Sequence, residues 1–447
     1  MTVPAYVRPL FLLLALIVAP TVYVACARMP SAEEVQQDEL ARAQADYDSL
    51  IRDIVKELKS PDPKVRTGAA IDLTGMIPRR YYDGRQSVRD TRAELALDVL
   101  ITLLDDPIME VRQAAASAIA TMRTEGAMAV LEKFFPEEQV ADIRYSILAR
   151  LTTWNTHPGA LPLILMGLDD PSPEVRCRAG LELASFGGRL GPGAFDSLDH
   201  GKMVKKLLAR IEAAGKGERH CYLSALSDFP DQRSITVPVL IRSLDSPDHR
   251  EVDYAVLALG FLKAEEAVPS LIKTLKRVPP ADPDEIALAL GRIGDHRAVE
   301  PLLEIAKEGW LMNTLWALGN LRDPRAYPFL SEFLEEALDR EQQEYHAIVV
   351  DAAHALGRLG DRRAVPLLLR AMKSPDVRLQ VNAARGLAEL GAVEAIPLVE
   401  KLSRKKVWTV YTRDATGWKQ PRTPFRKLMD EILEKLYAAQ RARKEAA

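Results

Sequence analysis

The stretch DDPSPEVRCRAGLELASFGG at residues 169–188 decides the fold of this chain. An acidic pair and two prolines are followed by Val175 and Arg176, then by small apolar residues and a closing Gly-Gly. Nearly the same phrase, DDPIMEVRQAAASAIA, begins 64 residues earlier, at Asp105. Self-similarity at a short fixed distance indicates a repeat array, which has to be considered before any globular fold.

The repeat has a period of 32 residues where it is clearest. A β-branched residue followed by arginine recurs at this step in Val111-Arg112, Ile143-Arg144 and Val175-Arg176. Later copies are marked by a proline that opens a helical pattern and by a Leu-Gly pair near the end of the unit, as in Pro238 and Leu259-Gly260. The array therefore extends through most of the chain.

Each copy predicts two helices joined by a tight corner. In VPVLIRSLDS (237–246) the apolar residues at 237, 240, 241 and 244 line one helix face. The Asp-Pro or Ser-Pro that follows ends the first helix and caps the second. A closing Gly-Gly at 187–188, or Gly-Asp at 294–295 and 360–361, predicts a left-handed helix cap. Because one helix pair cannot bury its own apolar face, we expect the pairs to stack.

Proline, Asp-Pro eight residues later and Val-Arg at offsets 13 and 14 resemble HEAT repeats, specifically the PBS-lyase HEAT-like subclass. The resemblance covers residues 44–403 and implies an all-α fold, an α-solenoid of about ten helical hairpins in a right-handed superhelix. It also implies a ladder of hydrogen bonds between Asp and Arg side chains of successive repeats. The ladder is expected in the N-terminal half and absent beyond about residue 250. Its residues are Asp106, Arg112, Arg144, Asp170 and Arg176, and Arg66, Arg144 and Arg219 keep the arginine without the aspartate.

Residues 1–27 predict an export signal, because Arg8 precedes the apolar run LFLLLALIVA and then small residues. Three endings stay open: lipidation of Cys26 after a lipobox-like sequence, cleavage after Ala25-Cys26-Ala27, or an uncleaved membrane span. Each predicts a chain outside the cytoplasm, in a bacterial cell envelope, with residues 28–43 as a flexible tether. Lipidation or an uncleaved span would also associate the N-terminus with the membrane, which is the favoured arrangement.

The array is predicted to end before RKKVWTVYTRDATGWKQPRTPFRK (404–427), with a capping helix in residues 428–447. This insertion has eight basic residues and one acidic residue, and VWTVYT has strand-like composition. It is predicted either to cap the open end of the array or to bind an anionic envelope component. The binding residues would be Arg404, Lys405, Lys406, Trp408, Arg413, Trp418 and Lys419. Two further interruptions, at 78–92 and 187–201, are interpreted as surface loops.

The sequence predicts no catalytic residues, no metal site and no cofactor. Cys177 and Cys221 each lie in a helical pattern, which favours two separately buried residues over a disulfide. The histidines are scattered, no His-Glu dipeptide occurs, and no Cys/His cluster has metal-ligand spacing. A formal charge of −3 argues against a nucleic-acid partner. We therefore expect a non-enzymatic protein without a small-molecule substrate.

The resemblance places the second helix of each pair on the concave side of the stack. Residues at four offsets from the valine position are expected to point out of that face and to suit a protein or peptide partner. They are Tyr145, His220, Tyr254, Arg292, Trp316, Asn320, His354, Arg358 and Arg385, with Asp253 and Asp284 beside them. The sequence thus favours an extracytoplasmic scaffold or adaptor. The alternative is an enzyme or enzyme accessory of the HEAT-like lyase type, with its site on the same face.

Overall fold

The computed structural model describes residues 49–76, 96–122, 124–151, 157–191, 193–215, 217–277, 282–309, 313–340, 347–405, 407, 409–413 and 419–446. The predicted signal segment with Cys26, the tether and the interruption at 78–92 lie outside these residues. The chain divides into two compact units, Met1–Arg150 and Leu151–Ala447.

The first unit consists of helices that follow one another after short corners. They are α1 (49–58), α2 (Pro63–Met76), α3 (Leu97–Leu103), α4 (Met109–Met122), α5 (Glu125–Glu137) and α6 (Ala141–Leu151). Helix α4 packs against α2, α3 and α5. Its residues Val111, Ala115 and Ile119 have no exposed surface, so the apolar face predicted for a second helix is the buried one.

In the second unit, first and second helices alternate. The first helices are α7 (Leu161–Gly167), α9 (His200–Ala213), α11 (Arg233–Ser243), α13 (Val268–Leu275), α15 (Val299–Lys307), α17 (Tyr327–Asp339), α19 (Val365–Ala371) and α21 (Ile396–Ser403). The second helices are α8 (Pro173–Leu190), α10 (His220–Leu223), α12 (His249–Phe261), α14 (Pro283–Ile293), α16 (Thr314–Leu321), α18 (Ala347–Leu359), α20 (Val377–Glu389) and α22 (Phe425–Glu445).

Each first helix packs against the second helix that follows it, and the second helices from α8 to α22 pack on one another in chain order. We call this row the second-helix layer. Stacked helical hairpins of this kind make up an α-solenoid, as the repeat pattern predicts. The only strands in the described residues are β1 (Thr409–Arg413) and β2 (Lys419–Pro424), an antiparallel hairpin that lies against α20 and α22.

Glycines set the spacing of the second-helix layer. A Cβ atom on Gly260 would lie 2.9 Å from Ala289 Cα on the next helix, and one on Gly291 would lie 2.7 Å from Ala317 Cα. Gly319 stands as close to Ala355 on α18, and Gly357 stands closer still to Gly386 on α20. The Leu-Gly pairs that mark the end of each repeat in the sequence are therefore the points where successive helices touch backbone to backbone.

The predicted left-handed caps are confirmed at two of three sites. Gly294 and Gly360 have φ angles of +85° and +84° and end α14 and α18. The prediction for Gly187-Gly188 is wrong, because α8 continues through both residues and its cap is Gly191, with a φ of +74°. Gly187 is instead a contact glycine, since a Cβ there would lie 2.5 Å from Asp228 Oδ1.

The Asp–Arg ladder is present in the first unit and begins earlier than expected. Arg66 Nε donates to Asp106 Oδ2 at 2.9 Å, and Asp106 Oδ1 accepts from the backbone N–H of Ile108. Arg112 donates both to its own corner, at Asp106 O, and to the carboxylate of Glu138 in the next pair. A ladder carboxylate therefore caps one corner and binds the arginine of the preceding repeat.

Glu138 was missed as a ladder residue. It stands six residues before Arg144, which donates to Glu138 O at 2.6 Å, so Arg144 does not lack an acidic counterpart. The longer glutamate reaches the same positions as aspartate, because its Oε1 accepts from Val140 N at 2.8 Å. In the second unit, Asp170 keeps the corner geometry: Oδ1 accepts from Ser172 N, and Arg176 donates to Asp170 O.

Other polar contacts occupy the ladder positions farther along the chain. Gln380 occupies the arginine position of α20 and donates to Ser374 O at 2.7 Å, six residues earlier, so an amide replaces the guanidinium. Arg219 meets a carboxylate from inside the next second helix, with Nε 3.5 Å from Glu251 Oε1.

The later repeats add a second set of contacts at their other corner, in the sequence Asp-x-Arg. Asp323 Oδ1 accepts from Arg325 N and from the Arg325 side chain, while Arg325 Nη2 donates back to His296 O. These contacts, with the Arg325 hydrogen bond foremost, hold the pKa of Asp323 well below its usual range. The same arrangement recurs at Asp295-Arg297 and Asp361-Arg363.

Candidate functional site

The second-helix layer holds all but one of the residues predicted to form a binding surface. Tyr145 is the exception, since it lies on α6 in the first unit, where 40% of its surface is exposed. The others follow the second unit in order: His220 on α10, Tyr254 on α12, Arg292 on α14, Trp316 and Asn320 on α16, His354 and Arg358 on α18, and Arg385 on α20.

These side chains are more deeply buried than the sequence predicts. His220, Arg292, Trp316 and His354 are all buried, and Trp316 retains only 3% of its surface. Tyr254, Asn320, Arg358 and Arg385 are half-buried. The cause is the close glycine crossings, which bring each second helix so near to the next that it covers side chains expected to face solvent.

Three residues form a connected group that we call the Trp316 cluster: Trp316, Asn320 and Arg358. Asn320 Nδ2 donates to Gly291 O at 2.5 Å, and Arg358 Nη2 donates to Asn320 Oδ1. The Arg358 guanidinium carbon lies 5.9 Å from the centre of the Trp316 ring, within range of a cation–π interaction. The ring itself fits over Gly291, where a Cβ would approach it to 2.7 Å.

The indole N–H of Trp316 is buried and has no hydrogen-bond partner among the described residues. A buried indole N–H usually finds an acceptor, and leaving it without one costs about 1–3 kcal/mol. The Trp316 cluster thus combines an unsatisfied donor, a cation and an aromatic face. Such a combination can recognise a carboxylate or carbonyl group of a partner.

A second group lies farther toward the N-terminus of the same layer. The rings of His220 and Tyr254 lie 5.4 Å apart, and burial lowers the pKa of the His220 imidazole. Asp253, next to Tyr254, is half-buried, its Oδ1 has no hydrogen-bond partner in the described chain, and burial raises its pKa. The layer therefore carries neutral or acidic groups at one end and the cationic Trp316 cluster farther along.

The predicted anionic-partner patch is only partly described. Lys406, Trp408 and Trp418 lie outside the described residues, while Arg413 ends β1 and Lys419 begins β2. Arg404 is exposed, and Lys405 Nζ donates to Gln380 Oε1 at 2.9 Å. Lys405 is thus tied to the array in the way a capping segment requires. Binding of an anionic partner stays a prediction.

The interpretation of Cys177 and Cys221 as separate residues is wrong. They form a disulfide between α8 and α10, with their Cα atoms 5.1 Å apart. The two helices meet at Gly180, where a Cβ would lie 2.5 Å from Cys221 O. A sequence separation of 44 residues gives no indication of such proximity, which depends on how the two repeats pack.

The same contact contradicts the expectation that no Cys/His cluster exists. Potential ligand atoms of Cys177, His220 and Cys221 lie within 4.8 Å of one another. His220 precedes Cys221 in the sequence, and its Nε2 lies 3.5 Å from Cys221 Sγ. The sequence shows a His-Cys dipeptide at 220–221 and a cysteine 44 residues before Cys221. These three residues come together only in the folded chain.

The interpretation of residues 187–201 as a surface loop is wrong for its centre. Phe195 is only 5% exposed and packs between Phe186 and Phe229, with ring centres 5.6 and 5.3 Å away. Next to this aromatic group, Asp228 Oδ2 is buried without a hydrogen-bond partner in the described chain. Desolvation raises the pKa of Asp228 to about 8. The tripeptide Ser-Asp-Phe at 227–229 gives no indication in the sequence that its carboxyl is buried.

Comparison with known protein families agrees with the stacked hairpins. A family model of HEAT repeats matches residues 51–152 and 334–416, and one of the PBS lyase HEAT-like repeat matches 284–308 and 312–336. The chain contains HEAT repeats. These HEAT repeats reach into both units, and their matched ranges include Trp316 and Arg358.

Curated relatives match part of the chain. The phycocyanobilin lyase subunit alpha of a Picosynechococcus species is 36% identical over 89 residues, which is 20% of this chain and 33% of the relative. Its counterpart in Synechococcus elongatus is 32% identical over 108 residues, 24% of this chain and 40% of the relative. The chain thus spans a third to two fifths of the length of these relatives.

Solved structures give distant likenesses. A crystal structure of importin beta is 14% identical with a TM-score of 0.43, covering 92% of this chain and 60% of that one. An engineered protein is 18% identical with a TM-score of 0.38, covering 87% of this chain and 98% of that one. Among the described residues, none of the helices combines the length and apolar character needed to cross a membrane.

Proposed function

We propose that this HEAT-repeat protein is a non-enzymatic scaffold whose second-helix layer binds an extended, acidic segment of a partner protein. The observation that carries the proposal is the buried Trp316 N–H, which lacks an acceptor among the described residues and lies beside Arg358. A partner carboxylate would supply the missing acceptor, and the positive charge of Arg358 beside the indole would favour a negatively charged acceptor. The contribution to affinity is largest where both groups are shielded from water.

The geometry favours recognition over catalysis. Within the Trp316 cluster, Asn320 and Arg358 are the half-buried members, so an incoming segment meets them before it reaches the indole. Donors, a cation and an aromatic face suit binding, whereas acid–base catalysis needs a proton donor and acceptor in reach of one reacting group. A peptide selection experiment can therefore identify the kind of segment that binds.

Trp316→Phe tests the proposal, since it keeps an aromatic ring and removes only the indole ring's extra volume and its N–H. Peptides that bind the wild-type chain are selected from a random display library, and we expect acidic sequences to be enriched. Their affinity should fall at least about tenfold in Trp316→Phe and in Arg358→Ala, the effect of losing about 1.4 kcal/mol. Binding is measured by fluorescence anisotropy of labelled peptides.

The chain offers a matched control outside the second-helix layer. Arg363 lies 4.2 Å from the ring centre of Tyr327, another aromatic–arginine pair that lies off the second-helix layer. Arg363→Ala should leave peptide affinity unchanged. The proposal fails if Arg363→Ala weakens binding as much as Arg358→Ala, or if the selected peptides show no acidic bias.

A second candidate function, an enzyme or enzyme accessory of the lyase type, is favoured by one observation. The partial relatives are named as subunits of phycocyanobilin lyases and are up to 36% identical to a part of this chain. In this alternative the second-helix layer would hold a small-molecule or protein substrate instead of a peptide. The two candidate functions predict different cellular locations, which the next experiment measures.

We further propose that residues 1–27 export the chain and that Cys26 carries a lipid anchor. The Cys177–Cys221 disulfide supports an oxidising compartment, where such bonds persist. Feeding cells a labelled fatty acid should label the wild-type chain and Cys177→Ala, but not Cys26→Ala. Equal labelling of Cys26→Ala would exclude lipidation at that residue. Recovery of the chain in the cytoplasmic fraction would favour the lyase-type candidate.

A further inference from the structure

We propose that reduction of the Cys177–Cys221 disulfide creates a metal site in which Cys177, Cys221 and His220 bind one Zn²⁺ ion. The site lies where α8 meets α10, apart from the Trp316 cluster, and does not depend on the proposed scaffold function. It is a redox-gated site, because the same two sulfurs either bond to each other or bind the ion.

The spacing of the ligand atoms fits a tetrahedral ion. With Zn–S and Zn–N bonds of about 2.3 and 2.05 Å, a sulfur and a nitrogen ligand of one Zn²⁺ lie roughly 3.5 Å apart. His220 Nε2 and Cys221 Sγ are 3.5 Å apart already. The two sulfurs need to be roughly 3.8 Å apart in such a complex. Rotation of the cysteine side chains is enough to reach this spacing, because the Cα atoms are separated by 5.1 Å.

Packing, rather than the disulfide alone, holds the three residues together. Gly180 brings α8 against the backbone of Cys221, and Tyr222, 1% exposed, fills the adjacent space, with Cδ1 2.7 Å from where a Gly180 Cβ would stand. His220 is held against the Tyr254 ring of α12. Reduction therefore frees the sulfurs without separating the helices that carry them.

The chemistry balances with a dithiol as reductant. The disulfide takes two electrons and two protons from the dithiol, which closes to its own cyclic disulfide, and leaves two protein thiols. Zn²⁺ then binds both sulfurs as thiolates and releases the two thiol protons to solvent. Three protein ligands leave the fourth tetrahedral position for water, which can enter beside Cys177, the half-exposed member of the three.

The test uses the full chain carrying Cys26→Ser, so that Cys177 and Cys221 are the remaining two of its three cysteines. Protein reduced with a dithiol is desalted under argon, and Zn²⁺ is titrated in competition with a chromophoric chelator. We expect one equivalent bound by the reduced protein and none by the oxidised protein. Co²⁺ in place of Zn²⁺ should give the thiolate charge-transfer absorption of a tetrahedral site.

His220→Ala should weaken Zn²⁺ binding by more than the roughly 10- to 100-fold that loss of a supporting residue costs. His249→Ala, at an exposed histidine that begins α12, is the matched control and should bind as tightly as the parent. If His220→Ala fails to fold by circular dichroism, Cys177→Ser gives the same comparison. Equal binding by oxidised and reduced protein, or full affinity in His220→Ala, overturns the proposal.

Discussion

Gly357→Ala is expected to lower the free energy of unfolding of the second unit by about 3 kcal/mol or more, the upper end of what overpacking costs. The new Cβ would lie 2.6 Å from both the carbonyl carbon and the oxygen of Gly386, and closer still to its Cα. These are backbone atoms of α20, so no side-chain rotation can relieve the clash. The two helices have to move apart, which opens the row of second helices on both sides.

Gly188→Ala is the matched control, because it is also a helical glycine but its Cβ would meet nothing within 4 Å. It should be neutral or stabilising by up to about 1 kcal/mol, the helix propensity gained. All five tryptophans follow residue 150, so tryptophan fluorescence during denaturant unfolding reports on the second unit. Equal stability of the two variants would contradict the backbone contact between α18 and α20.

Asp228→Asn is expected to remove a large pH dependence of stability. Because desolvation raises the folded pKa of Asp228 to about 8, the carboxyl is protonated in the folded chain at neutral pH. Its unfolded pKa is about 3.9, so its contribution to stability is fully present below that pH and is lost as pH rises toward 8. Between those limits, wild type should lose about 1.4 kcal/mol per pH unit relative to Asp228→Asn.

The measurement is denaturant unfolding of both chains at several pH values between 4 and 9, followed by tryptophan fluorescence. Over the whole range the difference amounts to on the order of 5 kcal/mol. Asp199→Asn is the control, since a hydrogen bond from the Lys202 backbone N–H lowers the pKa of that exposed carboxyl. Its contribution to stability is lost only as pH falls below about 4, so this variant should show no pH-dependent difference from wild type across the range. A stability difference that is independent of pH would show that Asp228 is ionised in the folded chain.

Much of the fold could be read from local pattern, and the physical reason is that a HEAT-like repeat is specified by neighbours in sequence. Proline in the first turn marks the start of helices such as α13, at Pro269, and apolar spacing marks the buried face of α11 at Val237 and Leu240. The prediction that Pro238 opens a helix is wrong, because α11 begins at Arg233 and Pro238 lies inside it. Local chemistry also predicted the caps at Gly294 and Gly360. It failed at Gly187, where the helix continues and the glycine instead makes room for Asp228, some forty residues away.

The candidate site was predicted in its residues but not in its environment. The offsets that selected Trp316, Asn320 and Arg358 are a property of one helix, so they identified the right face. Their burial is set by the neighbouring helices, which approach through Gly291, Gly319 and Gly357. Glu138 was missed as a ladder residue because the rule demanded aspartate, whereas the geometry requires only a carboxylate that reaches the corner N–H.

The sequence by itself determined that the chain is an array of helical hairpins, because caps, turns and apolar periodicity act over a few residues. Tertiary structure alone decided the disulfide of Cys177 and Cys221, the burial of Asp228 and the enclosure of Trp316. Each of these joins residues from different repeats, whose distance follows from how closely two backbones approach. The spacing of residues in the sequence therefore specifies each helical hairpin, whereas the contacts between hairpins depend on how their side chains and backbones pack.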